Sequence, residues 1–395
     1  MIYNPCMSIQ RNIYPQLIEL ATYYPIVVIT GPRQSGKTTL SQQAFPDKAY
    51  ISLEPIDTRS FAQEDPRGFL EEYSEGAIID EVQHAPDLLS YLQDFVDKHP
   101  EPGRFILTGS QNFMLFEAIS QSLAGRCGVL TLLPLAWDEL QQFKNAPKDL
   151  FTTLFQGSYP RIYDQKIPAH RWLADYVTTY VQRDVRQITQ VTNLNTFTTF
   201  IKLCAGSTGQ EINLSRLGSD TGITHNTAKA WLSVLETAGL SYSLPAWHKN
   251  IRKQVVKAPK LHFIDTGLVC YLLGIRNAEE LRHHPLRGAI FESWVVSEIL
   301  KKFTNKGRTP SLYHYRESRG LEVDLLIETA EQLNSVEIKS GSTINSEFFN
   351  NLKKFTDIHA GKENIDLWLI SGGTESYKRQ GTNVISWKNI PSDII

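Results

Sequence analysis

The sequence predicts an α/β protein, and two observations support this fold class. Short apolar runs alternate with helical patterns across the first 135 residues, which is typical of a parallel sheet covered by helices on both faces. A second alternation of helices and strands begins near residue 286. Because 395 residues exceed what one hydrophobic core usually serves, we expect two or three domains.

The composition narrows the class of protein. A net charge of −2 excludes a chain that binds polyanions through its overall charge, so any nucleic-acid contact must come from local patches. The sequence shows neither a secretory signal pattern nor an apolar run of membrane-spanning length. We therefore expect a soluble cytoplasmic protein without a membrane partner. Reduced thiols fit this expectation, because metal-ligand spacing is absent among Cys6, Cys127, Cys204 and Cys270.

Five candidate strands lie in the first predicted domain, residues 1–135. The apolar runs are "IVVIT" (26–30), "AYISL" (49–53), "AIID" (77–80), "RFILTG" (104–109) and "GVLTLL" (128–133). Each run is short enough to be one buried strand, and the segments between them have a helical pattern. The polar residues that follow the first, third and fourth runs are the candidate site residues.

The loop after the first strand has the spacing of a phosphate-binding loop. Gly31 is followed by four residues and then by Gly36, Lys37 and Thr38, where a helix begins. Glycines let successive N–H groups point at one anion, and the helix dipole adds positive potential. Lys37 would reach the β- and γ-phosphates, and Thr38 would offer its hydroxyl to Mg²⁺. A plain glycine-rich turn is the alternative. The predicted nucleotide-binding residues are Gly31, Pro32, Arg33, Gln34, Ser35, Gly36, Lys37, Thr38, Thr39 and Ser110.

An acid pair ends the third strand. Asp80 would hold Mg²⁺ through water, and Glu81 would orient or deprotonate the attacking water. The alternative is that this pair caps the helix that follows. At the end of the fourth strand, Ser110 or Gln111 would sense the γ-phosphate, and simple hydrogen bonding at the strand end is the other interpretation.

Arg126 lies immediately before the fifth strand. An arginine at this place would project towards the nucleotide of a neighbouring subunit and stabilise charge in the transition state. This interpretation requires a homo-oligomer, and a surface ion pair is the equal alternative. The predicted catalytic residues of the first domain are thus Lys37, Asp80, Glu81 and Arg126.

These motifs resemble a family of prokaryotic AAA-type ATPases whose members carry an uncharacterised C-terminal region. The resemblance rests on the loop at 31–38 and on "AIIDEVQHAPDLL", "FILTGSQNF", "SLAGR" and "LPLAWDEL". It continues through "GSYPRIY", "KLHFIDTGL", "GAIFESWVVSEI", and "EVDLLIE" with "VEIKS". The resemblance implies ATP as the nucleotide, Mg²⁺ as its metal, the sheet order 5-1-4-3-2 and a homo-oligomer.

The middle of the chain is predicted to hold a helical lid and a winged helix. Residues 136–203 have a helical pattern throughout. Within the winged helix, residues 204–285, the segment 212–240 has the pattern helix, turn, helix, with Gly222 ending the first helix and Thr224 capping the second.

Two wing strands, "SYSLPAW" and "KLHFID", follow the second helix. Basic side chains in and beside their connection would contact DNA phosphates, while the second helix enters the major groove. A role in protein contacts is the equal alternative. The basic residues are Lys249, Arg252, Lys253, Lys257 and Lys260.

Residues 286–395 have the order helix, three strands, helix and strand, which resembles the PD-(D/E)xK core, a restriction-endonuclease-like α/β domain. In "EVDLLIE" a period of two places Glu322, Asp324 and Glu328 on one face, and in "VEIKS" it places Glu337 beside Lys339. Two carboxylates on adjacent strands can bind Mg²⁺, and a nearby lysine can position the attacking water. The predicted metal ligands are Asp324, Glu337 and Glu292, with Lys339 as the catalytic residue.

The alternative for this domain is an ordinary sheet with one wet face. A basic patch for a phosphate backbone is expected from Lys301, Lys302, Lys306 and Arg308. The function predicted for the whole chain is an AAA-type ATPase coupled to a winged-helix and nuclease-like region that engages DNA. The rival is an ATP-dependent signalling or scaffold switch whose C-terminal domain only binds a protein partner.

Overall fold

The computed structural model describes residues 9–110, 119, 121–181, 194–248, 257–317, 320–359 and 364–395. The chain divides into two compact units. The first consists of Met1–Leu135, Thr237–Gly239 and Thr304–Arg308, and the second consists of Ala136–Glu236, Leu240–Phe303 and Thr309–Ile395. Among the described residues, no helix is long and apolar enough to cross a membrane.

A five-stranded parallel sheet forms the centre of the first unit. Its strands are β1 (Ile26–Thr30), β2 (Ala49–Ser52), β3 (Ala77–Asp80), β4 (Phe105–Thr108) and β5 (Cys127–Thr131). They lie in the order β2-β3-β4-β1-β5, and every neighbouring pair is parallel. The predicted α/β class and the strand order 5-1-4-3-2 are therefore confirmed.

Helices cover this sheet on both faces because its strands are apolar on both sides. Val28 of β1 belongs to one core with Leu89, and its neighbour Val27 belongs to a second core with Leu17. Burying each such side chain contributes about 1.5–3 kcal/mol, which is why continuous apolar runs predict these strands well. The helices are α1 (Tyr14–Tyr23), α2 (Lys37–Ala44), α3 (Ile56–Glu64), α4 (Pro66–Glu72) and α5 (Leu88–Lys98).

The first half of the second unit is mainly helical. Its helices are α6 (Trp137–Leu140), α7 (Leu150–Gln156), α8 (Pro160–Asp164), α9 (Ala169–Tyr176) with a π-helical turn at Val177–Val181, α10 (Leu194–Gly206), α11 (Leu214–Thr221), α12 (His225–Thr237), α13 (Thr266–Leu272) and α14 (Ala278–His283). The turn between α11 and α12 is the one that the sequence predicts. Gly222 takes the left-handed conformation there, and the Thr227 N–H donates to Thr224 Oγ1 over 3.1 Å.

A small antiparallel sheet accompanies α10 to α12. It consists of β6 (Gln210–Glu211), β7 (Ser241–Leu244) and β8 (Lys260–Phe263), in the order β6-β8-β7. All residues of the central strand β8 are buried. This burial decides the environment of Lys260, which is considered below.

The second half of this unit is built on a six-stranded sheet in the order β13-β14-β12-β11-β10-β9. Strand β10 is antiparallel to β9 and β11, whereas β12 is parallel to β11. The elements are α15 (Arg287–Asn305), β9 (Leu312–Arg316), β10 (Glu322–Glu328), β11 (Leu333–Lys339), α16 (Asn350–His359), β12 (Ile365–Ser371), β13 (Tyr377–Arg379) and β14 (Thr382–Ser386).

The strict alternation predicted for β10 is wrong beyond its fourth residue. The β9–β10 ladder shifts register between Val323 and Leu326. As a result Leu325, Leu326 and Ile327 are buried in succession, and Glu328 is exposed at the end of the strand. A register shift of this kind adds an extra residue on one strand, which a period of two cannot anticipate.

A buried polar network joins three of the sequence motifs in the second unit. Asp265 accepts hydrogen bonds from the Ser158 N–H (2.6 Å), the Ser158 hydroxyl (2.9 Å) and the Leu268 N–H (2.8 Å). Lys301 Nζ donates to the Ser158 hydroxyl over 3.4 Å, lies 2.8 Å from Glu298 Oε1 and is itself buried. The prediction that Lys301 belongs to an exposed basic patch is therefore wrong, because its charge is satisfied inside the protein.

Candidate functional site

The loop between β1 and α2 has the backbone geometry of an anion-binding loop. Gly31 and Gly36 have φ angles of +144° and +99°, and Gln34 has a φ of +64°. A Cβ atom on Gly31 would lie 2.2 Å from the carbonyl oxygen of Leu132, so only glycine fits there. Because α2 begins at Lys37, its first N–H groups and the positive end of its dipole lie at this loop.

The side chain of Lys37 is folded back onto the loop that precedes α2. Its Nζ donates to the carbonyl oxygens of Gly31 (3.0 Å) and Pro32 (2.9 Å), and the side chain is buried. Phosphate oxygens bound in the loop would offer the same ammonium group better acceptors, since they carry charge. The other predicted loop residues are distributed over all degrees of burial: Pro32 and Ser35 are buried, Arg33 and Gln34 are half-buried, and Thr39 is exposed.

Three hydroxyl groups hold the carboxylate of Asp80. Thr38 Oγ1 lies 3.1 Å from both Asp80 oxygens, the Tyr50 hydroxyl donates to Oδ2 over 2.8 Å, and the Thr108 hydroxyl also donates. Burial and the bond to Asp80 raise the pKa of Tyr50, so this phenol stays a donor. Thr38 and Asp80 together supply the hard oxygen atoms that Mg²⁺ prefers.

Glu81 follows Asp80 in an unusual conformation. Its φ of +58° is in the left-handed region, which is uncommon for any residue other than glycine, and the Gln83 side-chain amide donates to its carboxylate. Strained backbone of this kind clusters at functional sites. Ser110 is buried at the end of β4, whereas Gln111 lies outside the described residues.

Arg126 forms a bidentate ion pair within the first unit. Its Nε and Nη2 atoms lie 2.6 and 2.8 Å from the two carboxylate oxygens of Asp97 on α5. The pair lowers the pKa of Asp97 through these hydrogen bonds. This geometry corresponds to the ion-pair alternative, and a role towards a second subunit would require Arg126 to leave Asp97.

Sequence reasoning missed Arg11. This buried side chain donates to the carbonyl oxygens of Ser35 and Leu133, both over 2.8 Å. It therefore joins the phosphate-binding loop to the segment after β5. The sequence offers no signal for this role, because Arg11 lies far from the loop motif and follows no spacing rule.

A second group of charged residues lies in the second unit, and we name it the acid–lysine cluster. Lys339 Nζ lies 2.5 Å from Glu337 Oε1 and 3.4 Å from Asp324 Oδ2. The Ile338 N–H donates to the same Asp324 oxygen over 2.8 Å. The members of the cluster are Lys260, Glu292, Glu322, Asp324, Glu337 and Lys339.

Lys260 completes the cluster from β8. Its Nζ lies 3.1 Å from Glu292 Oε1 and 2.8 Å from Glu322 Oε1. The prediction that Lys260 is a wing residue for DNA phosphates is therefore wrong, because its side chain is only 3% exposed. Of the other predicted wing residues, Lys257 is exposed, while Lys249, Arg252 and Lys253 lie outside the described residues.

The carboxylates of Glu292 and Glu337 are inside the protein rather than on a wet sheet face, whereas that of Glu322 is 34% exposed. Burial and the neighbouring Asp324 raise the pKa of Glu337 to about 7 and that of Glu292 to about 8. Within the described part of the chain, Glu337 Oε2 is buried without a hydrogen-bond partner. Such an orphaned carboxylate oxygen can accept a proton or a cation.

The described residues contain no group of three or more His, Cys, Asp and Glu side chains arranged to hold a metal ion. Instead, each of two carboxylate pairs contacts a lysine. Glu292, predicted as a further ligand, is paired with Lys260, whereas Asp324 and Glu337 share Lys339. The cluster thus brings all four predicted residues together and adds Lys260 and Glu322 to them.

Three regions of the chain match known families. Residues 23–141 match the family described as "AAA domain". Residues 147–279 and 287–390 match two families described as "Domain of unknown function", DUF8612 and DUF4143. Residues 23–141 therefore form an AAA-type domain, as the resemblance of their motifs predicted.

Two relatives and two solved structures illustrate the similarity. Uncharacterized proteins of Mycobacterium tuberculosis and Mycobacterium bovis are each 30% identical over 344 residues, covering 86% of this chain and 76% of theirs. A Walker-type ATPase of Pyrococcus abyssi has a TM-score of 0.45 at 14% identity, covering 66% of this chain and 94% of that one. AMPPCP-bound DnaA from Aquifex aeolicus has a TM-score of 0.30 at 13% identity, covering 57% and 85%.

Proposed function

We propose that this chain, which belongs to the same family as the two mycobacterial proteins, binds ATP with Mg²⁺ and hydrolyses it in its AAA domain. The observation that carries the proposal is the contact between Thr38 and Asp80. It joins a hydroxyl and a buried carboxylate beside a loop in which Gly31 has no room for a side chain. When bound, Mg²⁺ would neutralise charge on the β- and γ-phosphates.

Each residue of the site has one task in this proposal. The loop N–H groups and Lys37 bind the phosphates, and Thr38 with Asp80 holds the metal. Glu81 orients and deprotonates the attacking water from its place at the end of β3, and Ser110 contacts the γ-phosphate from the end of β4. Arg126 acts on the nucleotide of a neighbouring copy after its release from Asp97.

Two substitutions separate binding from turnover. Lys37→Ala removes the ammonium group and should lower ATP affinity, whereas Glu81→Gln keeps the shape of the site and should bind ATP without hydrolysing it. The measurements are equilibrium binding of a fluorescent ATP analogue and steady-state phosphate release. Unchanged turnover in both variants would exclude this active site.

The role of Arg126 has a test of its own. Mixtures of Arg126→Ala and Glu81→Gln chains can restore an intact site only if one chain completes the other. We expect the mixture to be more active than either variant alone. A rate per chain that is independent of protein concentration, in a chain that sediments as a monomer, would contradict this role.

For the second unit we propose a winged helix and a PD-(D/E)xK nuclease-like domain that engage DNA. The order helix, strand, helix, helix, strand, strand from α10 to β8 supports the first part. The order α15, three antiparallel strands, α16 and parallel β12 supports the second. Asp324 and Glu337 offer two carboxylates to one divalent cation, and among the described residues Glu337 Oε2 has no hydrogen-bond partner. Lys339 would then help to position an attacking water.

The protein-binding alternative is favoured by one observation. Both carboxylate pairs already contact a lysine, so the cluster is partly neutralised without a metal. A domain of this kind could serve an ATP-dependent switch that recognises a protein instead of cutting DNA.

One assay distinguishes the two candidates. Supercoiled DNA is incubated with Mg²⁺ and the wild type, Asp324→Ala or Lys37→Ala protein, and the ATPase rate is measured with and without DNA. The nuclease function requires nicking that Asp324→Ala abolishes. Absence of both nicking and DNA-stimulated ATP hydrolysis would favour the switch.

A further inference from the structure

The strand β8 (Lys260–Phe263) is buried along its whole length, although it carries a lysine and a histidine. The spacing of two residues places Lys260 and His262 on the same side of the strand. That side faces α15, because His262 Nδ1 lies 3.0 Å from Ser293 Oγ and Lys260 Nζ lies 3.1 Å from Glu292 Oε1. A charged group on a buried strand must be neutralised where it lies.

The two lysines of the acid–lysine cluster differ in how firmly they are held. Lys260 is 3% exposed and bridges Glu292 and Glu322, whereas Lys339 is 31% exposed and reaches Asp324 and Glu337 from the edge. Lys339 can swing into solvent without leaving its charge buried. Lys260 is almost fully buried, so leaving its partners would strand its charge inside the protein.

The surroundings of Lys260 would suit a cation of another kind. Two carboxylates, those of Glu292 and Glu322, contact its Nζ. The buried His262 Nε2 lies 4.0 Å from Glu292 Oε1, and in the described part of the chain it has no hydrogen-bond partner. With the Lys260 ammonium group between them, these described side chains are not arranged to hold a metal ion. Once that group is removed, two carboxylates and a neutral imidazole are donors that Mn²⁺ accepts.

We propose that the ammonium group of Lys260 permanently occupies a second cation position of the cluster. It thereby limits the cluster to one exchangeable divalent ion, at Asp324 and Glu337. Lys260 is therefore a positioning residue that sets the number of metals rather than a ligand of DNA. The count of one exchangeable ion rests on the proposed function, whereas the cation-like place of Lys260 does not.

The test counts bound Mn²⁺ per full-length chain by electron paramagnetic resonance, without nucleotide. An Asp80→Asn background removes the contribution of the ATP site. We expect one Mn²⁺ in this background and two after Lys260→Met. We also expect one after Lys260→Arg, which keeps the charge, and one after Lys260→Met with Glu292→Gln, which removes a ligand. An unchanged count in Lys260→Met would overturn the proposal.

The same series separates this inference from the proposed function. If Asp324→Asn leaves the count unchanged, or the background binds no Mn²⁺, the site at Asp324 and Glu337 is wrong. A gain of one ion on Lys260→Met would still support the inference.

A folding defect in Lys260→Met would also be informative, because the variant leaves the buried Glu292 carboxylate and the partly exposed Glu322 carboxylate without a counter-ion. Folding that is restored by Mn²⁺ would support the proposal. A variant that stays unfolded at saturating Mn²⁺, while Lys260→Met with Glu292→Gln and Glu322→Gln folds, would overturn it. Failure of both to fold would overturn it as well, since the position would then serve packing alone.

Discussion

The phosphate-binding loop and the acid–lysine cluster both gather polar groups beside strands, but they are built in different ways. The loop takes its binding groups from the consecutive residues 31–38, and most of them are backbone N–H groups fixed by local dihedral angles. The cluster takes its charged side chains from β8, α15, β10 and β11. A loop of the first kind depends on backbone shape, whereas a cluster of the second kind depends on a balance of buried charges.

The difference determines which changes each site tolerates. At Gly31 in the loop, a single added methyl group would collide with the backbone of Leu132. In the cluster, shape is less important than the number of positive and negative charges. The predictions below test this distinction, and each compares a variant with a matched control.

The largest effect is expected for Gly31→Ala. The φ of +144° is unfavourable for alanine, and its Cβ would lie 2.2 Å from the Leu132 carbonyl oxygen. We expect a loss of about 3 kcal/mol in the free energy of unfolding of the first unit. The same cost of about 3 kcal/mol in binding free energy corresponds to roughly 100-fold in affinity, so the variant should bind ATP about 100-fold more weakly. Thermal melting and equilibrium binding measure the two effects.

Gly125→Ala is the control for this prediction. Gly125 also has a positive φ, at +77°, but no atom lies within 4 Å of the position of a Cβ. It should cost about 1 kcal/mol, the usual penalty of the left-handed conformation, and leave ATP binding intact. Equal effects of the two substitutions would show that contact with Leu132 is not what makes Gly31 necessary.

A smaller effect is expected from the charge balance of the cluster. Burial raises the pKa of the Glu337 carboxyl from 4.5 to about 7. Between these values the folded protein keeps a proton that the unfolded chain has released, so the contribution of Glu337 to the free energy of unfolding falls as pH rises through this window. We expect the wild-type melting temperature to fall relative to that of Glu337→Gln from pH 5 to pH 8, by about 2–4 °C per kcal/mol.

Glu337→Gln should reduce this pH dependence, because the amide does not titrate. Glu328→Gln is the control, since Glu328 is an exposed glutamate of the neighbouring strand. If the Glu337→Gln protein loses stability with pH as steeply as the wild type, the buried carboxyl of Glu337 is not the source of the decrease. Differential scanning calorimetry at fixed ionic strength gives both slopes.

The two sites also show which features of the structure the sequence could predict. The strands, the loop and the acid pair Asp80–Glu81 were predicted because each depends on neighbours in the sequence. The pairing of Glu337 with Lys339 was predicted for the same reason, since both lie on one strand. The domain boundaries and the proposed roles of these residues stay predictions.

The features that the sequence could not predict depend on contacts between elements that are far apart in the chain. Arg11 and Lys260 contact their partners only after separate elements have come together, and a basic residue beside a predicted wing looks like a surface charge. The register shift in β10 is likewise set by the ladder with β9, not by the alternation of side chains along one strand. Residues with these roles can be found only from three-dimensional contacts.

The smallest effect is expected for Tyr50→Phe. The Tyr50 side chain is 41% exposed, yet its hydroxyl donates to Asp80 Oδ2 over 2.8 Å and so helps to orient a carboxylate that we assign to Mg²⁺. Loss of one such hydrogen bond is worth about 0.5–1.5 kcal/mol, so the Mg²⁺ concentration for half-maximal ATP hydrolysis should rise roughly 2- to 10-fold. The rate at saturating Mg²⁺ should change little, because Thr38 and Thr108 still hold Asp80.

Tyr91→Phe, which changes a similarly exposed tyrosine on α5, is the control. An unchanged Mg²⁺ requirement in Tyr50→Phe would mean that Thr38 and Thr108 suffice to orient Asp80. The loop site would then depend on residues close to the loop and not on the hydroxyl of Tyr50.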